Sequence, residues 1–577
     1  MAPKPIGSHA PMSRKEAFLT RRQVEGMIAD GMTITILDGK VLKVDSWLHY
    51  HPGGVKAIMH VVGRDATDEV NALHSLEARQ RMAAFQIGRV EGRWHNFLPP
   101  VQGGVFRPYG HHEQRLYQFH DLVESDGDTL SESTSAPDSP IFDPVDQSGM
   151  PVNRIHQSGW LRQSSSLSSI SSTESLEAPE PKNGPTLSLM DARTQREIDF
   201  DLDKYPSLDP ATQADIVRRY RQLGQIIHAQ GLYHCHYTDY LIEVSRYALL
   251  FSLCLLFLRL GWYATSGLFL GLFWHQLVFT AHDAGHMGIT HNFVYDTVIG
   301  VVIANFLGGL SLGWWKRNHN VHHIVTNSPE HDPDIEHVPF FAVSHRFFES
   351  LRSTFYDRVM MYDCVARFAI RYQHLLYYPI LTLGRFNLYV LSWEYLLRGL
   401  GPRKGPAWWH RWFEIAGNVF FWIWFGYGIL YRTIPDARSR FIFVMVSHMV
   451  TGPLHVQITL SHFAMSTADL GIHESFPQRM LRTTMDVDCP EWLDFVHGGL
   501  QFQAIHHLFP RIPRHNLRKT QKLVQSFCND VGIPYALYGF VEGNKHVVGR
   551  LADVARQAAI LAQCQKTVAA TGNYGSH

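Results

Sequence analysis

The 577-residue sequence lacks several features that would assign it to common classes of protein. Its six cysteines are scattered and form no Cys-x-x-Cys pair, which fits reduced thiols better than a disulfide scaffold. Basic and acidic residues number 52 each, so the formal charge is zero and no nucleic-acid partner is expected. The opening stretch MAPKPIGSHAPMSRKEAF lacks the apolar core of a signal peptide, so internal segments are expected to mediate membrane entry.

Histidine, by contrast, is abundant, with 35 in the chain. Three tight clusters read HDAGH, HNVHH and QAIHH, each beside a segment apolar enough to enter a bilayer. They contain Gln503 and seven imidazoles: His282, His286, His319, His322, His323, His506 and His507. Neutral imidazole is a common ligand of transition metals, and residues three or four apart share one face of a helix. Seven imidazoles exceed what one ion needs, so the sequence predicts two metal ions.

The structural alternative is that these histidines only pack or face solvent, as most single histidines do. Three clusters at ligand spacing favour the metal interpretation, because polar groups at membrane depth are costly and mark function. Asp283, inside the first cluster, is expected to orient an imidazole rather than to bind metal. A structural role is the better prediction for five neighbouring histidines: His291, His331, His337, His455 and His497.

Residues 14–97 have the pattern of a small soluble domain. The stretch TITILDGKVLKVDSWL predicts short strands around an Asp-Gly turn. It is followed by HPGG, which begins at His51, by VGRDATDEV, by His74 and by the closing FQIGRVEG. These residues resemble the cytochrome b5 family over nearly the whole span. The resemblance implies an α+β domain that holds haem b between His51 and His74 as axial ligands, which leaves the iron no open position and restricts it to electron transfer.

Residues 98–204 differ in composition, with many Ser, Pro, Glu and Asp and few large apolar residues. Such a stretch cannot bury enough surface to offset its ordering entropy, so a disordered Ser-rich linker is predicted. A linker of this kind would raise the effective concentration of the haem domain near its partner. The segment DPATQADIVRRYRQLGQIIHAQGLY then predicts a surface helix that precedes the membrane.

The apolar segments predict four transmembrane helices in two hairpins. The first hairpin covers residues 240–281 with a break near 259–261, and the second covers 413–431 and 441–460. Residues 294–312 are also apolar, but a crossing there would separate the first two clusters, so a dip or an interfacial position is expected. Residues 374–397 are expected at the interface. The predicted fold is therefore an α-helical multi-pass membrane protein with interfacial helices and a cytosolic cap that carries the histidine clusters.

The order and spacing of the three clusters resemble the histidine boxes of the membrane fatty-acyl desaturase family, over residues 235–545. The cytochrome b5-like domain and the glutamine that opens the third box are similar to the front-end branch of that family. The resemblance implies a di-iron site held by the box residues, including Gln503, and adds His462 of LSHFAM as a further ligand. It also implies O2 as co-substrate and an endoplasmic reticulum membrane location. NADH would act indirectly through a separate cytochrome b5 reductase, since no Gly-x-Gly-x-x-Gly follows a strand here.

The stretch HHIVTNSPEHDPDIEHVPFF and the Ser-rich linker resemble fungal sphingolipid Δ8-desaturases more than Δ5 or Δ6 acyl desaturases. That likeness implies a Δ8 double bond in the sphingoid long-chain base of a ceramide or other sphingolipid. A front-end desaturase of fatty acyl chains is the main alternative, and a cytochrome b5-fused lipid hydroxylase is a second. A zinc hydrolase with seven transmembrane helices and a non-catalytic lipid binder or transporter are further alternatives.

Overall fold

The computed structural model describes residues 14–96 and 189–571. Both ranges are mostly helical, with a three-stranded sheet in the first and two short ladders in the second. Most of the predicted linker, residues 97–188, lies outside the described residues.

The first range forms a small α+β unit around an antiparallel sheet. Its elements are α1 (Arg21–Ala29), β1 (Ile34–Leu37), β2 (Lys40–Lys43), α2 (Val55–Met59), α3 (Thr67–Leu73), α4 (Leu76–Met82) and β3 (Gln86–Arg89). The strands lie in the order β1-β2-β3, and Asp38 and Gly39 have positive φ in the turn between β1 and β2. Positive φ at both central residues suits an Asp-Gly hairpin turn, as the sequence predicts. Ile34, Ile36 and Val41 are fully buried in the core of this unit.

The second range carries the remaining elements. Its helices are α5 (Leu189–Lys204), α6 (Pro210–Ala229), α7 (Tyr237–Arg259), α8 (Tyr263–Gly285), α9 (Phe293–Val301), α10 (Leu312–Val325), α11 (Cys364–Arg371), α12 (Gln373–Thr382), α13 (Gly384–Arg398), α14 (His410–Phe421), α15 (Ala437–Met449), α16 (Gly452–Phe463), α17 (Phe476–Thr483), α18 (Asp494–His497), α19 (Gln503–Leu508), α20 (Leu517–Val531) and α21 (Phe540–Thr571). Its strands are β4 (Arg352–Ser353), β5 (Arg358–Val359), β6 (Asp486–Asp488) and β7 (Leu537–Gly539). β4 pairs antiparallel with β5, and β6 pairs parallel with β7.

Three helices of the described chain are long and apolar enough to cross a membrane: Tyr237–Arg259, Gly405–Thr433 and Ala437–Phe463. A bent pair of helices makes a fourth if it counts as one broken span. From the sequence, the fourth span is instead expected to be the second half of the first hairpin, which is α8. This helix is as long as α7 and packs between α7 and α15, but His275 and Gln276 interrupt its apolar run. Because its neighbours cover it, α8 needs a less continuous apolar surface.

The bent pair lies between the first two boxes. Phe293–Leu307 and Leu312–Val325 meet at an angle of 118°. Gly309 at the bend has φ +70°, and a Cβ there would lie 2.4 Å from the ring of Phe421, so the bend requires glycine. The bend returns the chain to the end of α8, and the dip of residues 294–312 into the membrane stays a prediction.

The C-terminal part of the predicted linker is a packed helix. In α5, Asp201 is buried and forms an ion pair of 2.8 Å with Arg482. Glu197 pairs with Arg550 of α21 at 3.1 Å. The prediction of disorder is therefore wrong for residues 189–204, because ion pairs with distant segments anchor a helix that has little apolar surface of its own.

The helix predicted before the membrane is α6. Asp209 caps its N-terminus by accepting two backbone N–H bonds. One face packs on the segment that carries the third box, through Ile216, Tyr220 and Leu223. The Tyr220 hydroxyl donates to the backbone oxygen of Leu508 at 2.8 Å. α6 thus fixes the box helix α19 from outside.

Residues 374–397 form the short helices α12 and α13, which meet at Leu383. Arg385 is buried, and its guanidinium lies 4.0 Å from the ring centre of Trp274. Glu394 is exposed and pairs with Arg398. The interfacial position of this segment stays a prediction.

Candidate di-metal centre and haem site

The three boxes, which are distant in sequence, meet in one buried cluster. Each box lies on a helix: α8 ends at the first, α10 contains the second and α19 contains the third. α16 adds His462 from the end of an apolar helix. All the imidazoles predicted from the boxes are in contact with at least one other: His282, His286, His319, His322, His323, His506 and His507.

The cluster divides into two groups. In the first, the ligand atoms of four rings lie within 4.8 Å of one another: His282, His286, His319 and His506. In the second, three rings meet the same limit: His322, His462 and His507. His323 lies between the groups, with ring-centre distances of 4.8 Å to His506 and 4.3 Å to His507. Each group is compact enough to hold one metal ion, so the arrangement is compatible with the two ions that the sequence predicts.

The nitrogen atoms of the cluster point at one another. His322 Nε2 lies 3.2 Å from His507 Nε2, and His323 Nε2 lies 3.1 Å from His319 Nε2. Burial, and then the neighbouring histidines, lower the pKa of His507 well below its usual value. Neutral rings that face each other present lone pairs to a common point, which is the arrangement a metal ion requires.

Several side-chain nitrogen and oxygen atoms of the cluster that could bind a metal are buried and have no hydrogen-bond partner among the described residues. They are His286 Nε2, His323 Nδ1, His462 Nδ1, His506 Nε2 and the side-chain oxygen of Gln503. Buried polar atoms without partners are costly unless a ligand satisfies them. Nitrogen donors with one amide oxygen suit iron as well as zinc, so the residues fit two iron ions.

Sequence reasoning missed two carboxylates behind these rings. His322 Nδ1 donates to both oxygens of Asp332, at 2.8 and 2.9 Å, and His319 Nδ1 lies 3.4 Å from Asp334. Asp332 also accepts the backbone N–H of Asn327 at 2.7 Å. Such partners fix the orientation of a metal-binding imidazole. The signal was present in HDPDIEH, close after the second box, where two acids follow the end of α10.

Asp283 acts differently from the sequence prediction. Its nearest imidazole nitrogen, His282 Nδ1, is 3.8 Å away, which is too long for a hydrogen bond. Its other oxygen accepts from Tyr240 and from Arg514, which also pairs with Glu243. Asp283 therefore joins a buried ion network that ties α8 to α7, and it does not orient a ring.

The five histidines predicted to be structural lie outside both groups. His291 bonds to the backbone oxygen of Tyr233, and His455 to that of Leu381. The others contact polar or aromatic side chains: His331 with Thr354, His337 with Phe463 and His497 with Gln457.

The two predicted haem ligands face each other across the N-terminal unit. The ring centres of His51 and His74 lie 6.0 Å apart. Two metal–nitrogen bonds of about 2 Å each, with each ring centre about 1 Å behind its nitrogen, need about 6 Å. Nδ1 of His51 donates to the Gly54 oxygen at 2.9 Å, and Nδ1 of His74 to the Val70 oxygen at 3.1 Å. These bonds leave each Nε2 with a lone pair, so the pair fits a haem iron.

The loop that carries His51 touches the helix that carries the second box. A Cβ on Gly53 would lie 2.8 Å from the His51 ring and 2.9 Å from the side-chain nitrogen of Asn320 in α10. Glycine at this position therefore permits the close approach. Because Asn320 follows His319, the expected haem ligand His51 and the expected metal ligand His319 lie on directly adjoining segments.

Polar contacts hold the N-terminal unit in this position. Lys56 Nζ pairs with Asp357 at 2.8 Å and donates to the Thr354 oxygen at 2.8 Å. The buried His60 shares a hydrogen bond of 2.9 Å with the Thr354 hydroxyl. Two further ion pairs join α3 to the second range: Asp68 with Arg221 at 2.8 Å and Glu69 with Arg479 at 3.0 Å.

The fold and the site define the class of protein. Histidine groups at the ends of apolar helices, next to a unit suited to carry electrons, are typical of a membrane-bound oxidoreductase. Two families match the chain: the fatty acid desaturases over residues 260–539 and the cytochrome b5-like haem/steroid binding domains over residues 20–91.

Relatives match nearly the whole chain. The Delta 8-(E)-sphingolipid desaturase of Emericella nidulans is 63% identical over 98% of this chain and 99% of its own. The enzyme of the same name from Kluyveromyces lactis is 48% identical over 95% of each chain. The Delta(8)-fatty-acid desaturase of Helianthus annuus is 36% identical over 60% of this chain and 75% of its own. The protein belongs to the family of cytochrome b5-fused desaturases that contains these fungal enzymes. The predicted family and fold class are thereby confirmed.

Proposed function

We propose that the protein is an O2-dependent desaturase that introduces an E double bond at position 8 of the sphingoid long-chain base of a ceramide or related sphingolipid. The observation that carries the reaction type is the pair of adjoining histidine groups with unpartnered donor atoms. The substrate class and the position of the double bond are supported by two relatives, both called Delta 8-(E)-sphingolipid desaturase, which match this chain over nearly their full length.

Two irons would be held by the residues of the two groups. The proposed ligands are His282, His286, His319, His322, His323, His462, Gln503, His506 and His507. When bound, the irons supply the O2-dependent oxidation that removes two hydrogens from adjacent methylene groups. Imidazole ligands withstand such an oxidant, whereas thiolates would be oxidised.

The protein's own part in the reaction is to hold these rings still. Asp332 and Asp334 fix the orientation of His322 and His319. Trp315 packs its ring against three rings of the first group, with centre distances between 4.6 and 5.3 Å. Rings held at fixed positions keep the metal centre in one place, so that a lipid chain bound beside it would present one carbon pair, which is how positioning gives regioselectivity.

Electrons would reach the centre through haem b held by His51 and His74. With both axial positions closed, that haem carries electrons and does not bind oxygen. NADH would be the source, through a separate cytochrome b5 reductase. The contact between the His51 loop and α10 gives the electrons a short route to the second box.

We place the protein in the endoplasmic reticulum membrane with the haem domain and the boxes in the cytosol. All six cysteines are unpaired, as expected for a reducing compartment. Positive residues favour the cytosolic side of a membrane protein. Four of them lie between the end of α13 and the start of α14: Arg398, Arg403, Lys404 and Arg411. Three positive residues lie around the turn before α15, which this topology places on the lumenal side, and they favour the opposite orientation: Arg432, Arg438 and Arg440.

Lipid analysis after expression in a host that lacks the activity tests the proposal. We expect long-chain bases with an added E double bond at position 8, found by mass spectrometry after chemical cleavage at the double bond. A hydroxyl group in place of the double bond, or new double bonds in fatty acids alone, would contradict it. The variant His322→Ala is the negative control, since it removes a proposed ligand without touching the haem domain.

A further inference from the structure

Three cations around the haem ligands lack a counter-ion. Arg79 belongs to the haem domain, whereas Lys316 lies in α10 and Arg511 follows α19 in the desaturase part. None of the three forms an ion pair with a carboxylate of the described residues. The Nε atoms of Arg79 and Arg511 are buried and have no hydrogen-bond partner there. Partly buried cations without an anion are costly, so their convergence needs an explanation.

Their other contacts do not supply an anion. Lys316 lies 5.6 Å from the ring centre of Phe293, and Arg79 donates to the side-chain oxygen of Asn71 at 2.6 Å. Among the described residues, Asp296 forms no ion pair with Lys316 or Arg511; its oxygens accept hydrogen bonds from Thr290 and from the backbone N–H of His291. The cations are thus held in place without an ion pair of their own in the part of the chain that the structure describes.

The location of these charges indicates what they bind. Lys316 lies one turn before Asn320 of α10, whose side chain adjoins Gly53 of the His51 loop. Burial lowers the pKa of His51 and of His74, and the charge of Lys316 lowers both further, as that of Arg511 does for His74. Lys316 also lines the cleft between the His51 loop and α10, together with Gly53 and Gly54. The haem of the proposed function would lie between His51 and His74, and haem b carries two propionate carboxylates.

We propose that Lys316 and Arg511 of the desaturase part bind the haem propionates. Charge-assisted bonds to carboxylates are the interactions that lysine and arginine make best. The haem pocket is then completed only when the two parts are docked. α10 would contact the haem through Lys316 and the metal centre through His319, one turn further along.

The inference rests on haem binding by His51 and His74 and is tested on the full-length protein. The haem is titrated potentiometrically in detergent, with its absorption spectrum as readout. In Lys316→Gln and Arg511→Gln we expect a normal bis-imidazole spectrum and a reduction equilibrium constant about tenfold lower, which is 59 mV for a one-electron couple. The uncompensated propionate charge favours the ferric state. Lys316→Arg, which keeps the charge, and Lys519→Gln, an exposed lysine of α20, should leave the potential unchanged.

Reconstitution with haem dimethyl ester shows whether the propionates are responsible. The ester has no carboxylates, so Lys316→Gln should then have the same potential as the unsubstituted protein. An equal shift with both haems, or no shift with native haem, would overturn the inference while leaving the haem assignment intact. Absence of the haem spectrum from the unsubstituted protein would instead refute the haem assignment itself, and the inference with it.

Discussion

The two cofactor sites of this protein are built in opposite ways. His51 and His74 belong to one small domain, and each ring is fixed by a backbone oxygen of its own segment, Gly54 or Val70. The metal centre takes its donors from helices that are far apart in sequence, α8, α10, α16 and α19. The two proposed axial ligands are therefore set by one local stretch of the chain, whereas the proposed metal centre exists only once the helical part has folded.

The supporting groups differ in the same way. Two carboxylates beyond α10, the buried Asp332 and the partly exposed Asp334, contact rings of the proposed metal centre. Their support depends on the fold of the segment that follows the second box. Loss of one metal ligand should therefore affect the metal centre alone, and loss of one haem ligand should affect the haem alone.

The largest effect is expected from His322→Ala. This change leaves His507 and Asp332 without their shared partner and should abolish desaturation and deplete non-haem iron. The haem absorption spectrum should remain unchanged. Lipid analysis and iron determination on the purified variant check both points, with the exposed His546→Ala as control. Loss of haem in His322→Ala would show that the two sites are not independent.

The converse change, His74→Ala, removes one axial ligand of the haem. We expect the bis-imidazole spectrum to disappear and desaturation to fall to the background level, because the internal electron donor is lost. Non-haem iron should stay at the level of the unsubstituted protein, as measured in the same preparation. A parallel loss of non-haem iron would contradict the separation of the sites.

The contrast also explains what could be predicted from the sequence. The expected haem ligands could be named because HPGG and His74 lie in one recognisable module, and the box histidines because they cluster at helical spacing; both ligand sets stay predictions. Asp332 was missed and Asp283 was given a wrong role, because which carboxylate meets a ring depends on tertiary packing. The packing of α5 was missed because its ion pairs join segments far apart in the chain.

Asp332→Asn should have a smaller effect than loss of a ligand. The amide keeps the shape but cannot accept from His322 as a carboxylate does, and such changes typically lower metal affinity or activity about 10–100-fold. The haem spectrum should not change. Iron content and turnover of the purified variant test this, with Asp530→Asn on the exposed end of α20 as the matched control. Full activity in Asp332→Asn would show that the ring needs no such support.

The smallest effect concerns the contact between the two parts. Burial lowers the pKa of His60 to about 3, from the usual 6.5, so His60 is neutral at the interface with Thr354. At His60 the docked form binds fewer protons, so the contribution of His60 to docking falls by about 1.4 kcal/mol for each pH unit below about 6.5. Asp68, whose pKa burial raises to about 6, acts in the opposite direction. Hydrogen exchange of α2, corrected for intrinsic rates, should show the loss caused by His60 between pH 7 and pH 5.5.

The variant His60→Gln provides the control for that experiment. Glutamine does not titrate in this range, so the pH dependence of exchange in α2 should become shallower. An identical pH dependence in both proteins would exclude His60 as the titrating group.

The ratio of non-haem iron to haem in the purified full-length protein tests the central claim most directly. Two histidine groups beside one bis-imidazole haem predict two non-haem irons for each haem, and loss of those irons alone in His322→Ala. Zinc in place of iron, or a protein that desaturates lipid with its box histidines removed, would contradict the account.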